Sequence, residues 1–158
     1  MLAGVSLVAN EKFGKYIAYV RDVKDPMQKG RIKVQCPKIF GEGLSDWCEP
    51  VVPVAYNAHG DLALPKLNET VYIEFEEGDI KRPLYVGNFW AQFNTPLKAF
   101  DYDTNVRIIN WDNCSIAMKG DEMMILAPKK LYIQVGNSKI TLTPNNIKML
   151  ADRIDLNE

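Results

Sequence analysis

Apolar residues recur at an interval of seven near the C-terminus of the chain. Each unit carries two of them, two positions apart, so that both point to the same face of a β-strand. A coiled coil requires spacings of three and four, and Pro144 lies inside the pattern, where it would break a helix. The pattern therefore predicts short strands separated by turns at 136–138, 144–146 and 151–153. The repeated residues are Ile133, Ile140, Ile147 and Ile154 in one series, and Val135, Leu142, Met149 and Leu156 in the other.

A single strand with two inward residues cannot close a hydrophobic core. We therefore predict that several copies of the chain share one core, in an intertwined β-helix or β-prism. The eight repeated residues would form this shared core, and the polar residues between them would face solvent. An ordinary sheet formed within one chain is the alternative.

A second alternating pattern occupies the first half of the chain. Turn residues separate five apolar segments, and no stretch has the periodicity of an amphipathic helix, so the pattern predicts a small closed barrel. The third segment contains Pro50 and Pro53, which predicts an edge strand or a bulged strand. The predicted strands are 15–22, 31–36, 47–56, 70–75 and 83–90.

The two patterns divide the chain into four parts. An N-terminal arm at 1–14 precedes the barrel at 15–92, and a linker at 93–104 leads to a rod at 105–158. Short strands are also predicted at 107–109, 114–118, 123–126 and 131–135, although the sequence does not define how residues 103–130 fold. The fold class is all-β.

Composition narrows the functions that this fold could perform. The chain has 158 residues, of which 47% are hydrophobic and 25% charged, as expected of a globular protein. The net charge of −1 argues against a nucleic-acid binder, which would more often be basic. The single histidine and the three cysteines (Cys36, Cys48 and Cys114) match no zinc-site spacing, which favours reduced thiols in a protein made in a cytoplasm. We expect no cofactor and no metal.

The sequence also contains none of the common catalytic or targeting signals. It has no G-x-S-x-G, no H-E-x-x-H and no phosphate-binding loop, so we expect that the protein is not an enzyme. The acidic run at 74–79 fits no calcium loop and is interpreted as a solvated strand edge and turn. No secretory signal or membrane-spanning segment is expected, so any contact with a membrane would be mechanical.

The barrel segment carries several short motifs in a fixed order. They begin with Asp25-Pro26 and Gly30-Arg31-Ile32-Lys33-Val34, continue with Trp47-Cys48-Glu49-Pro50, and end with the segment from Arg82-Pro83 through Gly87 to Trp90. This order resembles the OB-fold domain of the central spike proteins of contractile injection machines, namely phage baseplate hub and spike proteins and VgrG-type spikes. One departure is Asn68, where the family often has a glycine, but asparagine tolerates a positive φ. The motif residues are Gly30, Arg31, Trp47, Pro65, Phe75, Gly78, Asp79, Pro83 and Gly87.

The resemblance implies a structural role in a virion. The chain would be the trimeric central spike of a contractile phage tail baseplate, synthesised in the host cytoplasm. Its N-terminal side would bind baseplate hub or tube proteins, and its rod would help to pierce the host envelope. No lysozyme domain fits between the barrel and the rod. A separate tip protein would cover the apolar end of the rod at Leu156, because no histidine follows His59 to build a metal-binding tip.

Three alternatives remain open at the level of sequence. The chain could be the spike of a type VI-like or extracellular contractile injection system, although its short length favours a phage. It could also be an OB-fold nucleic-acid-binding protein, because such proteins stack bases on aromatic residues in a basic groove. The third alternative is a carbohydrate-binding module, which the sequence neither excludes nor suggests. For Trp47, the sequence favours a place in the barrel core over one facing a partner.

Overall fold

The structure is a computed structural model that describes residues 11–57, 59–90, 95–96 and 103–155. About half of the residues lie in strands, and the described part of the chain contains almost no helix. Contacts between residues divide the chain into two compact units, with the boundary between Trp90 and Ala91. No helix among the described residues is long and apolar enough to span a membrane.

The N-terminal unit is built on a curled five-stranded sheet with the order β2-β1-β6-β7-β3. Neighbouring strands are antiparallel, except that β3 runs parallel to β7. Ile32 and Cys48 exchange two main-chain hydrogen bonds of 3.2 and 2.8 Å, which joins the segment before β2 to the segment before β3. The strands of this unit are β1 (Tyr16–Asp22), β2 (Lys33–Gln35), β3 (Glu49–Pro50), β4 (Ala55–Tyr56), β5 (His59–Gly60), β6 (Thr70–Phe75) and β7 (Pro83–Asn88).

This order of strands defines the topology of the barrel. In chain order, the five strands of the sheet are β1, β2, β3, β6 and β7. Strand β1 lies between β2 and β6, and β3 lies parallel to β7. The bridge between Ile32 and Cys48 brings the two edges together. A five-stranded, partly open Greek-key barrel of this kind is the OB-fold architecture. The curled sheet agrees with the barrel predicted from the alternating pattern.

Alternation along the strands explains the barrel core. In β6, Val71, Ile73 and Phe75 are buried, and the residues between them are only half-buried. Because side chains in a strand point to opposite faces in turn, one face of β6 lines the core and the other meets solvent. The complete core consists of Ala18, Val20, Ile32, Val34, Cys36, Cys48, Val71, Ile73, Phe75 and Tyr85.

The structure differs from the sequence prediction in the region between β2 and β6. The predicted strand at 47–56 is reduced to the two residues of β3, followed by the separate hairpin of β4 and β5. Proline has no N–H to donate to a sheet, so Pro50 and Pro53 prevent a longer strand here. One short helix, α1 (Pro37–Phe40), also follows β2, with its proline in the first turn.

The C-terminal unit contains two three-stranded antiparallel sheets. In each of them, strands that follow one another in the chain are paired through two-residue turns. Turns at 136–137 and 144–145 confirm two of the turns predicted from the seven-residue pattern, and residue 152 forms a bend within the third. The strands are β8 (Val106–Trp111), β9 (Cys114–Lys119) and β10 (Glu122–Leu126), then β11 (Leu131–Val135), β12 (Ser138–Thr143) and β13 (Asn146–Leu150).

Candidate functional site

The second C-terminal sheet places the repeated apolar residues side by side. Ile133 in β11 lies opposite Ile140 in β12, which lies opposite Met149 in β13. Residues directly opposite each other in an antiparallel pair project from the same face. Within one continuous strand, residues seven positions apart would point to opposite faces. Here a turn lies between them, so they occupy adjacent antiparallel strands and point to the same face, as Ile133 and Ile140 do. The seven-residue spacing therefore collects its apolar residues on one face.

We call this surface the β11–β13 face. It is formed by Leu131, Ile133, Val135, Ile140, Leu142, Ile147 and Met149. The opposite face is mainly polar, with the row of Tyr132, Thr141 and Lys148 at its centre. One side of this sheet is therefore chemically suited to a hydrophobic partner, whereas the other is suited to water.

Nothing in the described part of the chain covers the β11–β13 face. Ile133, Val135, Ile147 and Met149 are between 47% and 80% exposed, and Ile140 and Leu142 are half-buried. Several of these side chains line an open cavity of about 360 Å³. Contiguous apolar surface on a soluble protein marks an interaction site.

Seven of the eight predicted core residues can be placed. Six of them lie on the β11–β13 face, as the alternation predicted. Ile154 follows β13, is about half exposed and lines the same cavity. Leu156 lies outside the described residues, so the predicted apolar end of the rod cannot be located. Whether these residues form a core between copies stays a prediction.

The C-terminal unit has very little core of its own. Among its described residues 103–155, only Val106 and Ala117 are buried. By contrast, the barrel buries a cluster of ten hydrophobic residues. A small sheet needs a packed hydrophobic face to be stable by itself. Six strands with two buried residues therefore require a further surface to pack against.

Sequence reasoning missed Leu131 as a member of the apolar face. It lies opposite Leu142, which in turn lies opposite Ile147, so these three residues form a second apolar row. The signal was present, because Leu131 precedes Ile133 by two positions and therefore points to the same side of the strand. It does not belong to the seven-residue pattern, because the residue seven positions later is Ser138.

In the barrel, the motif residue Arg31 is held by a carboxylate. Asp25 Oδ1 accepts hydrogen bonds from Arg31 Nη2 at 2.6 Å and from Arg31 Nε at 3.1 Å, and only 3% of the Asp25 side chain is exposed. Its carboxylate also accepts hydrogen bonds from the main-chain N–H groups of Met27 and Lys29. The hydrogen bond from Arg31 holds the pKa of Asp25 well below its usual value and raises the pKa of Arg31. This buried pair fixes the loop between β1 and β2.

Trp47 does not lie in the barrel core, so the expectation from sequence was wrong. Its ring is half-buried at the surface, with Lys33 Nζ 5.2 Å and Arg31 Cζ 5.7 Å from the ring centroid, in cation–π geometry. The inward position belongs instead to the next residue, Cys48, which is fully buried. Burial raises the pKa of the Cys48 thiol to about 11, so this thiol stays protonated.

Three motif residues that are distant in sequence line one cavity of about 440 Å³. They are Arg31, Trp47 and Pro83. The remaining lining carries both signs of charge, with Lys81 and Arg82 beside Asp46, Glu49 and Glu76. A single-stranded nucleic acid requires a groove that is positive along its length. This mixed surface does not provide one.

The other motif residues shape the barrel. Phe75, Pro65 and Pro83 are buried, and Asp79 Oδ1 accepts the N–H of Lys81 in the turn between β6 and β7. Gly78 has a φ of +78°, and a Cβ on it would lie 2.9 Å from the ring of Phe13. Gly30 and Gly87 also have positive φ, and so does Asn68, as expected where the family often has glycine. The described residues contain no group of three His, Cys, Asp or Glu side chains placed to hold a metal ion.

Residues 16–90 match the family described as the Type VI secretion system/phage-baseplate injector OB domain. The match spans β1 to β7 and includes all nine motif residues, and it ends before the C-terminal unit. The chain therefore carries an OB domain of this family, as found in baseplate spike proteins, and the resemblance drawn from the motifs is confirmed. Membership of this domain family supports a structural role in a baseplate, in contact with other baseplate components. No curated protein matches the sequence significantly.

Proposed function

We propose that the chain is the non-enzymatic central spike of a contractile phage tail baseplate, and that three copies assemble into one spike. The β11–β13 face is the observation that carries this proposal. It is broad, apolar and uncovered, and it belongs to a unit with almost no core of its own. Three such faces directed toward a common axis would form the hydrophobic core that the C-terminal unit of each chain lacks.

The energy available from this face is large enough to drive assembly. Complete burial of one large aliphatic side chain stabilises a protein by about 1.5–3 kcal/mol. The seven residues of the β11–β13 face retain roughly half of their surface, so burying the remainder contributes about 1 kcal/mol each, or about 7 kcal/mol per chain. Three chains would share about three times that free energy before the entropic cost of association is subtracted.

Assembly would also occupy the free edges of the sheet. Among the described residues of one chain, β11 and β13 each pair on one side only, which leaves a sheet edge with N–H and C=O groups available on each. Neighbouring copies that supply strands to these edges would extend the hydrogen bonding around the axis. The resulting intertwined rod would transmit axial force to the host envelope during contraction, so the contact with the membrane would be mechanical.

The two units would bind different neighbours. The barrel and the N-terminal arm would attach the spike to hub or tube proteins, and a separate tip protein would cover the C-terminal end of the rod. We expect no nucleic acid to bind, because the cavity around Trp47 carries both signs of charge. A spike of a type VI-like or extracellular contractile system would use the same assembly, and the family description includes type VI secretion.

Labelling of intact particles tests this function. Antibodies raised against the isolated chain should bind at the baseplate end of contractile particles from the producing cells, as seen by electron microscopy. Mass spectrometry of purified baseplates should recover the chain in a fixed ratio to the tail tube protein. If the chain is absent from such particles, the proposed function is wrong. Particles with phage heads would favour the phage assignment, and headless particles would favour the alternative.

A further inference from the structure

The segment that forms the second C-terminal sheet is a basic part of a chain that is otherwise acidic. Residues 123–151 contain lysines at 129, 130, 139 and 148 and no acidic residue, although the net charge of the whole chain is −1. The excess of negative charge therefore lies outside this segment. A surface that carries one sign of charge favours a partner of the opposite sign.

The antiparallel register places these lysines on the side opposite the β11–β13 face. Lys148 lies opposite Thr141, which lies opposite Tyr132. Lys139 precedes Thr141 by two positions and therefore points to the same side of β12. Lys130 Nζ lies 5.3 Å from the centroid of the exposed Tyr132 ring. We call the surface formed by Lys130, Tyr132, Lys139, Thr141 and Lys148 the lysine face.

The three lysines of this face have no acidic partner among the described residues. Elsewhere in the same unit, cations are neutralised, because Lys119 pairs with Asp103 at 3.0 Å and Arg153 pairs with Asp155 at 2.8 Å. In the proposed trimer, the β11–β13 faces would turn toward the axis and the lysine faces would turn outward. Each copy would then add three unneutralised ammonium groups to the side of the rod.

We infer that the lysine face docks against a carboxylate-rich surface of a different baseplate protein, one that lies beside the rod before the tail contracts. This inference rests on the proposed function, because it assumes that the assembled rod is housed in a baseplate. It adds a lateral partner to the hub or tube proteins and the tip protein, which would bind the two ends of the spike.

A charged contact suits a rod that has to leave its neighbours when the tail contracts. Exposed ion pairs are individually weak, and solvent and salt screen them as soon as the two surfaces separate. Several lysine–carboxylate pairs could therefore hold the rod in register and still release it. The apolar face on the other side of the same sheet is suited instead to a permanent contact.

The composition of the lysine face favours carboxylates over phosphates. Its cations are all lysines, and arginine, whose planar guanidinium binds phosphate through paired hydrogen bonds, is absent from residues 108–152. The face is the open side of a sheet, whereas a nucleic-acid backbone is followed by a positive groove. A rod that meets the envelope end-on presents its sides to the proteins around it, and not to lipid headgroups.

Zero-length cross-linking in intact particles tests the docking directly. A water-soluble carbodiimide joins a lysine amine to a carboxylate only where the two groups are in contact, and mass spectrometry identifies both residues. In purified, uncontracted particles, we expect Lys139 and Lys148 to be joined to aspartate or glutamate of another baseplate protein. Cross-links from these lysines only to other copies of this chain would overturn the inference. Binding of the isolated chain to phosphatidylglycerol vesicles without cross-links in particles would also overturn it, in favour of a lipid surface.

Two variants show whether the lysine face acts as one surface. Lys148→Gln and Lys119→Gln each remove one positive charge from the C-terminal unit, but Lys119 already pairs with Asp103 and lies outside the face. Both variants should keep the mass of the wild-type assembly in light scattering. Because one exposed ion pair is lost, Lys148→Gln should lower the cross-linking yield of Lys139 by about two- to fivefold, and Lys119→Gln should leave it unchanged. Equal yields in the two variants would overturn the inference.

Amine reactivity separates this inference from the proposed function. With an acetylating reagent, Lys139 and Lys148 should react several-fold more slowly in uncontracted particles than in the isolated chain. If the chain is present in baseplates but these two amines react equally fast in both states, the proposed function stands and the docking is wrong. If the chain is absent from baseplates, the proposed function is wrong and this inference falls with it.

Discussion

Ile140→Asp is the substitution whose effect depends most strongly on assembly. Ile140 lies in the central strand of its sheet, between Ile133 and Met149, and is half-buried in the single chain. A carboxylate at this position would still reach water in a monomer, so its cost there would be small. In a trimer with a shared core, three carboxylates would be brought together without any cationic partner.

The size of the effect follows from the cost of burying an unpaired charge. Each buried carboxylate costs several kcal/mol even after the structure relaxes, so three of them cost on the order of 10 kcal/mol per trimer. Because about 1.4 kcal/mol corresponds to a factor of ten, the association constant would fall by roughly 10⁷-fold. We therefore expect a monomer at every concentration that light scattering can measure.

Thr141→Asp is the matched control, because it adds the same charge one residue away. Thr141 points to the opposite face, between Tyr132 and Lys148, where a carboxylate can remain in water beside a cation. This control should remain a trimer. Integrity of the barrel in both variants can be followed by the buried Cys48 thiol, which should stay unreactive. A stable trimer of Ile140→Asp would refute the shared core.

Three further predictions concern the barrel. Because the pKa of Asp25 in the folded protein lies below its usual value of 3.8, its interaction with Arg31 stabilises the fold above that pH and is lost as the pH falls below it. Urea unfolding from about pH 6 to about pH 3 should therefore show a smaller loss of stability in Asp25→Asn than in the wild type, although the variant is less stable at neutral pH, and identical pH profiles would contradict this. Cys36 and Cys48 are buried, and burial raises the pKa of both thiols, that of Cys48 to about 11. Neither thiol should react with a maleimide at neutral pH until urea unfolds the barrel, and rapid labelling of either residue in the native protein would show that this core is wrongly described. Gly78→Ala should destabilise the barrel by about 1–3 kcal/mol, because alanine is strained at a φ of +78°; an unchanged urea midpoint would argue against this turn geometry.

The barrel could be predicted because its strands have one clearly apolar face. In β6, buried Val71, Ile73 and Phe75 alternate with residues that face outward, so the period of two is visible in the sequence. The surface position of Trp47 could not be predicted in this way. It precedes a strand of only two residues, shortened by proline, and no alternation shows whether Trp47 or Cys48 points inward.

The C-terminal unit shows the same contrast between its two sheets. The β11–β13 face was predicted because polar residues separate the apolar ones along each strand. The apolar row of Ile109, Ile116 and Ile125 across the first sheet was not predicted, because Ile108 and Ile109 are adjacent and so place apolar side chains on both sides of β8. The antiparallel register was needed to identify which residues share a side.

The mass of the full-length chain in solution shows whether three copies share one hydrophobic core. One chain is 17.9 kDa, so a trimer is about 54 kDa. We expect a mass of about 54 kDa by light scattering, unchanged on dilution and in mild denaturant. A folded monomer of 17.9 kDa across the same concentrations would contradict it, because the uncovered apolar faces would then have no second copy to bind.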